Sequence, residues 1–150
     1  MIASLFWFAL LANGFLMSAF AQSPQPSEFK ALTEEVEQLV YSDIDLAREK
    51  IAEQEALLEK GNWEAAVARR CRATLYNNLG IYHKMKSQFD SSIHYYTRST
   101  TFYDSLSEPA GLATIWNNIA NVYYMKGDYP ISLDYHFKSL HIRTELGDSL

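Results

Sequence analysis

Histidine side chains are the first residues of this chain whose chemistry could include metal binding. A zinc site on a helix typically uses two histidines four residues apart together with a third ligand. His136 and His141 are five residues apart and therefore point to different helix faces, while His83 and His94 have no partner at that spacing. The sequence predicts packing or surface roles for all four histidines, with no metal site and no cofactor.

The only cysteine and a basic cluster offer no clearer catalytic chemistry. Cys71 cannot form a disulfide within the chain, and a lone cysteine in a helical stretch is typically a small buried hydrophobic residue. Arg69, Arg70 and Arg72 lie beside it, but a net charge of −5 argues against a nucleic-acid partner. No glycine-rich phosphate loop is present. We therefore expect no enzymatic activity in these 150 residues.

A row of asparagines is the more informative polar feature. Asn117 and Asn121 are four residues apart and share one face of a helix. A side-chain amide can pair with both the N–H and the C=O of an extended peptide. Two interpretations stay open: a peptide-binding row, or ordinary repeat residues without tuned specificity. The candidate partner-binding residues are Asn77, Ile81, Lys84, Asn117, Asn121 and Tyr124.

An internal repeat supplies the elements that must position these residues. Residues 73–106 align without a gap on residues 113–146, at an offset of 40 residues. A fixed period in this range is typical of stacked supersecondary units. The identical pairs include Ala73/Ala113, Asn77/Asn117, Asn78/Asn118, Ser92/Ser132, Tyr95/Tyr135 and Ser99/Ser139.

Each repeated unit has the pattern of two helices. Trp116, Ile119, Ala120 and Tyr123 recur at i, i+3, i+4 and i+7, which forms one apolar helical stripe. The segment Gly127–Pro130 then interrupts the pattern, because glycine suits a helix end and proline is tolerated in a first turn. The sequence predicts helices near 28–41, 43–60, 62–86, 89–106, 109–126 and 130–146.

The segments Trp116–Tyr124 and Gly127–Tyr129 resemble the tetratricopeptide repeat family. The small residues expected where paired helices meet are Gly80/Ala120, Ser92/Ser132 and Ser99/Ser139. Serine replaces the usual alanine at the last two pairs, which we expect to weaken those contacts. The period of 40 resembles a subgroup with longer helices, found in extracytoplasmic regions of bacterial sensor histidine kinases.

The resemblance implies an all-α fold of antiparallel helix pairs, stacked as an α-solenoid of the tetratricopeptide type. It also implies that the first helix of each unit lines a concave groove that holds peptides. The predicted organisation is a degenerate capping pair at 28–61, a unit at 62–107 and a unit at 108–150. Terminal repeats are expected to be atypical because they cap the stack.

The first 21 residues have the composition of an export signal. Residues Ile2 to Ala21 are almost entirely apolar and uncharged, and small residues at Ala19 and Ala21 predict cleavage between Ala21 and Gln22. Residues 22–27 are predicted to be a linker. No Lys or Arg precedes the apolar run, so an uncleaved membrane anchor is the alternative, because about 20 apolar residues can span a bilayer.

These observations favour an exported scaffold, periplasmic or extracellular, that binds a protein or peptide partner in its groove. The alternative is the N-terminal sensor segment of a membrane signalling protein, a histidine kinase or nucleotide cyclase, whose catalytic part and anchor lie beyond Leu150. A cytoplasmic adaptor fits the export signal poorly. The last predicted helix is apolar on more than one side, which predicts further repeats or self-association there. Its apolar residues are Ile131, Leu133, Tyr135, Phe137, Leu140 and Ile142.

Overall fold

The computed structural model of the chain describes residues 25–147, which form six α-helices joined by short connections. No strand occurs in this range. The fold is the predicted all-α solenoid of stacked helix pairs. The helices are α1 Pro26–Leu39, α2 Ile44–Lys60, α3 Ala65–Met85, α4 Phe89–Ser105, α5 Pro109–Lys126 and α6 Tyr129–Glu145.

Hydrogen bonds between α3 and α4 define the direction in which paired helices run. Ser92 Oγ donates to the carbonyl oxygen of Gly80, and Ser99 Oγ donates to that of Ala73, both at 2.7 Å. Later residues of α4 therefore meet earlier residues of α3, and the helices are antiparallel. The hydroxyls of Ser92 and Ser99 each bond a carbonyl of α3, so the expected weakening by serine gains no support at these two positions.

The start of α1 corrects the predicted linker. The helix begins at Pro26, so the last two residues of the segment 22–27 belong to it. Proline suits this position because its missing N–H would have no partner in the first helical turn. Residues 1–21, including the predicted cleavage between Ala21 and Gln22, lie outside the described residues.

The start of α3 lies three residues later than the predicted position 62. Residues 61–64 are not helical, and the Trp63 indole folds back so that its Nε1 donates to the Leu57 carbonyl oxygen at 3.0 Å. A Cβ on Gly61 would lie 2.1 Å from the same indole nitrogen, so glycine at this position leaves room for the indole.

The turns repeat as faithfully as the helices. Ser87 and Gly127 are 40 residues apart and both adopt positive φ, of 57° and 81°. Ser107 and Gly147 form a second such pair, with φ of 54° and 76°. Residues with side chains rarely adopt this left-handed conformation, so its recurrence shows that both junctions reuse one backbone geometry.

Two hydrophobic clusters hold the stack together. The first joins α1, α2 and α3 around Val36, Ile51 and Leu79, and the second joins α4 and α5 around Tyr96 and Ile119. Cys71 lies in the first cluster, as predicted for a small buried hydrophobic residue. That the pair α1 and α2 is a degenerate repeat unit stays a prediction.

Candidate peptide-binding surface

The first helices of the two repeated units lie next to each other. Asn118 Nδ2 on α5 donates to Asn77 Oδ1 on α3 at 3.0 Å. The rows 77/81/84 and 117/121/124 each follow helical spacing, so each row shares one face of its own helix. The contact therefore brings neighbouring helices together at the start of the two predicted rows.

Three of the six candidate residues already have partners inside the protein. Asn77 accepts the bond from Asn118, and Asn117 Oδ1 lies 3.1 Å from His136 Nδ1 on α6. Ile81 is half-buried and packs against both hydrophobic clusters. These side chains hold helices and units together, which reduces what they can offer a ligand.

The other three candidates keep their polar groups available. The side chains of Lys84 and Asn121 are half-buried and have no hydrogen bond or ion pair with any of residues 25–147. Tyr124 is 63% exposed and meets the ring of Tyr129 edge-on, with centroids 5.4 Å apart. A ligand could therefore bond all three without displacing a protein contact.

Lys84 differs electrostatically from Lys126 and Lys138. Lys126 contacts Asp90 at 2.7 Å, and Lys138 contacts Asp134 at 2.6 Å. Lys84 has no such partner among the described residues, and burial lowers the pKa of its ammonium group. Since burial of an unpaired charge is unfavourable, an anionic group placed beside Lys84 would stabilise its charged form.

A ring ladder between α3 and α4 is a surface that sequence reasoning missed. Tyr76 stacks near Tyr95 and Phe102, and His83 stacks on Tyr95 at 5.1 Å. The Arg98 guanidinium lies 4.4 Å from the centre of the Tyr76 ring. The repeat offset held the signal, because the equivalents of His83 and Tyr95 are Tyr123 and Tyr135, which also stack, at 5.7 Å.

Metal-binding side chains form no candidate site in residues 25–147. No group of three His, Cys, Asp or Glu side chains comes together there. Burial raises the pKa of the Cys71 thiol, which disfavours the reactive thiolate at neutral pH. Arg69 and Arg72 are exposed, and the guanidinium of Arg70 bonds Glu108.

None of the helices in the described part of the chain is long and apolar enough to cross a bilayer. That finding concerns α1 to α6 alone and leaves the predicted signal segment outside its range.

The antiparallel pairs, repeated junctions and side-by-side first helices define a helical-repeat fold. Residues 112–146 match the family model described as a tetratricopeptide repeat. This match spans one repeated unit and supports a tetratricopeptide-type repeat in that part of the chain. No curated protein and no solved structure gives a significant match to the chain.

Proposed function

We propose that this protein is an exported scaffold that binds an extended segment of a partner protein along the first helices of its repeats. The observation that carries the proposal is the contrast among the six candidate residues. Asn77 and Asn117 are bonded to other helices, whereas Lys84, Asn121 and Tyr124 retain unpaired polar groups. We propose these three as the recognition residues.

Each of the three residues suits a different part of a bound peptide. The Asn121 amide can donate to a backbone carbonyl and accept from a backbone N–H. Lys84 favours an acidic group, because no carboxylate of the described residues compensates its charge. Tyr124 offers an exposed ring that can cover an apolar side chain. The preferred ligand is therefore an extended, acidic segment with an apolar residue.

A peptide array tests this preference directly. Extended peptides with acidic, neutral or basic centres would be probed with the wild-type protein and with Lys84→Ala and Asn121→Ala. Loss of one hydrogen bond, about 0.5–1.5 kcal/mol, corresponds to roughly two- to twelvefold weaker binding. Lys84→Ala should remove the preference for acidic centres, and Asn121→Ala should weaken all peptides alike.

Lys86→Ala is the matched control, because Lys86 is an exposed lysine two residues away with no ion pair among the described residues. It should leave the array unchanged. Equal effects of Lys84→Ala and Lys86→Ala would mean that only overall charge matters, which would contradict the assigned recognition residues.

Export is the second component of the proposal. The apolar residues 2–21 and the small residues Ala19 and Ala21 motivate cleavage before Gln22. N-terminal sequencing of the protein recovered from a bacterial host should begin at Gln22. A chain that still begins at Met1 and sediments with membranes would replace export by membrane anchoring.

The second candidate function is a sensor segment of a membrane signalling protein. The resemblance to long-helix extracytoplasmic repeats favours it. Sequencing the gene beyond the codon for Leu150 distinguishes the two candidates. A transmembrane segment followed by a kinase or cyclase domain would favour the sensor, whereas repeats alone would favour the scaffold.

Self-association through α6 is proposed as a contact separate from the peptide groove.

A further inference from the structure

Helix α6 carries an apolar stripe that no part of residues 25–147 covers. Leu133 is 55% exposed, Phe137 59% and Leu140 40%. Their spacing of four and then three residues places all three on one helix face. We call these residues the C-terminal stripe. Among the described helices, α6 packs only against α5, which meets its opposite side through buried residues such as Ser139.

The equivalent face of α4 shows what a neighbouring repeat helix covers. Ile93, the equivalent of Leu133, is half-buried against the cluster that includes Ile119 of α5. Thr97, the equivalent of Phe137, is exposed although α5 is in place. A further helix packed on α6 in the same way would therefore cover Leu133 and leave Phe137 in water.

Residue types change in the same direction at these positions. The polar pair Thr97 and Thr100 of α4 is replaced by Phe137 and Leu140 in α6. The C-terminal stripe is therefore wider than a stacked repeat requires. Exposed apolar patches of this kind mark interaction surfaces in soluble proteins.

We propose that the C-terminal stripe binds the same stripe of a second copy of this chain, with the two α6 helices antiparallel. This rests on the proposed self-association and specifies its surface and symmetry. The order Leu133, Phe137, Leu140 is nearly unchanged when reversed. A two-fold axis beside Phe137 therefore sets the two Phe137 rings together and each Leu133 near Leu140 of the other copy, as an isologous interface requires.

The charges beside the stripe suit contact between identical surfaces. Asp134 pairs with Lys138 at 2.6 Å, and His141 lies 3.5 Å from Glu145, all within α6. The charges of Asp134 and Lys138 thus compensate each other on the same helix, so this pair adds no net repulsion when two copies meet. A single helix pair buries less than the roughly 1,000 Å² typical of stable complexes, so the dimer should dissociate on dilution.

Cysteine cross-linking in the full chain tests the symmetry. Phe137→Cys should give a disulfide-linked dimer under mild oxidation, because the two side chains would meet at the two-fold axis. Thr97→Cys is the matched control on α4, and Tyr41→Cys is a control at another exposed aromatic position. Neither control should form a disulfide-linked dimer, because position 97 or 41 does not lie at the two-fold axis and the native Cys71 is buried. Equal cross-linking of all three variants would overturn the proposal.

Sedimentation velocity over a range of concentrations measures the equilibrium itself. Phe137→Thr and Leu140→Thr copy the residues of α4 and should each weaken dimerisation by roughly tenfold, with helical circular dichroism unchanged. Tyr41→Thr should not weaken it. A wild-type chain that stays monomeric at every concentration would overturn the proposal, and would leave a following repeat or a different protein to cover the stripe.

The dimer and the peptide groove can be tested independently. Lys84→Ala and Asn121→Ala lie on α3 and α5 and should leave sedimentation unchanged. Phe137→Thr should leave peptide binding unchanged. Loss of peptide binding with an intact dimer, or the reverse, would identify which of the two proposals had failed.

Discussion

The unit formed by α3 and α4 and the unit formed by α5 and α6 differ chiefly in what surrounds them. Within each pair the same bond recurs, because Ser99 donates to the Ala73 carbonyl oxygen and Ser139 to that of Ala113, both at 2.7 Å. Within residues 25–147, the first unit contacts helices on both sides, whereas the second contacts the first unit alone. The alignment of the two helices is thus fixed by bonds within a pair, whereas the burial of their side chains depends on the adjacent pairs.

One pair of equivalent positions shows the consequence. Tyr96 on α4 is fully buried, whereas His136 on α6 remains half-buried and bonds Asn117. The same backbone position is thus a core position in one unit and a partly solvated position in the other. Equivalent repeat positions therefore share a backbone geometry. How much the residue there contributes to the free energy of unfolding also depends on its neighbours.

Identical residues can also differ in role between the units. Asn78 is fully buried and donates to Gln54 Oε1 at 3.1 Å, and Gln54 in turn donates to Thr33 at 2.8 Å. Asn118, its equivalent, is half-buried and donates to Asn77 on the facing helix. The polar chain through Gln54 joins the first three helices, while the bond of Asn118 joins neighbouring units.

The largest difference between the units should come from Tyr96. We expect Tyr96→Ala to lower the free energy of unfolding by about 3–5 kcal/mol, because it leaves a cavity among three helices. His136→Ala should lower it by about 1 kcal/mol, because it removes mainly one partly solvated hydrogen bond. Urea denaturation followed by circular dichroism measures both. Equal losses would contradict the idea that neighbouring pairs set burial.

The two asparagine contacts should differ next. Gln54→Leu leaves the buried Asn78 amide without its acceptor, which should cost about 1–3 kcal/mol. Asn77→Leu removes the acceptor of Asn118, but that half-buried amide can bond water, so we expect less than about 1 kcal/mol. Urea titrations of the two variants measure both losses. A larger loss for Asn77→Leu would contradict the claim that the buried asparagine contact contributes more stability.

Gly80 gives a smaller effect that depends on its neighbour. A Cβ at this position would lie 2.5 Å from Tyr96 ring atoms, and such overpacking costs about 1–3 kcal/mol. The gain in helix propensity returns about 1 kcal/mol, so Gly80→Ala should lower stability by about 1 kcal/mol. In the other unit the residues equivalent to Gly80 and Tyr96 are Ala120 and His136.

A double-mutant cycle sharpens this prediction. In a Tyr96→His background, Gly80→Ala should instead raise stability by up to about 1 kcal/mol, because the smaller ring leaves room for the methyl group and the gain in helix propensity remains. An undiminished cost in that background would show that the ring of Tyr96 is not what requires glycine at position 80.

The serine hydroxyls should give the smallest difference. Ser99→Ala and Ser139→Ala remove bonds of equal length, and each should lower stability by about 0.5–1 kcal/mol after the better helix propensity of alanine. Thermal denaturation of both variants measures the losses. A clearly larger loss for Ser99→Ala would show that adjacent pairs strengthen even the bonds within a pair.

Much of the fold could be predicted because the sequence repeats at an offset of 40 residues, which marks the two helix pairs. The apolar stripe through Trp116 and Tyr123 and the break at Gly127 placed the helix ends within three residues. The start of α3 was missed because the Trp63 indole and the Leu57 carbonyl meet only after the chain turns back. The bare face of α6 was predicted, and Leu133, Phe137 and Leu140 are indeed exposed.

The helix faces of the candidate residues could be predicted from the sequence, but their hydrogen bonds to other helices could not. Helical spacing alone put Asn77, Asn117 and Asn121 on comparable faces. That two of these asparagines are bonded to other helices depends on Asn118 and His136, which sequence reasoning did not include.

The sequence by itself determined the helices, their pairing and the period of the stack, because these follow from local spacing, small residues and turn chemistry that recur 40 residues apart. Only the tertiary structure decided which of the repeated side chains are buried, bonded or available. Asn77 is tied to Asn118 while Asn121 is unpaired, and Ile93 is covered while Leu133 is exposed. The physical reason is that side-chain burial and hydrogen bonding depend on the neighbouring helix, whose approach one unit's own sequence does not encode.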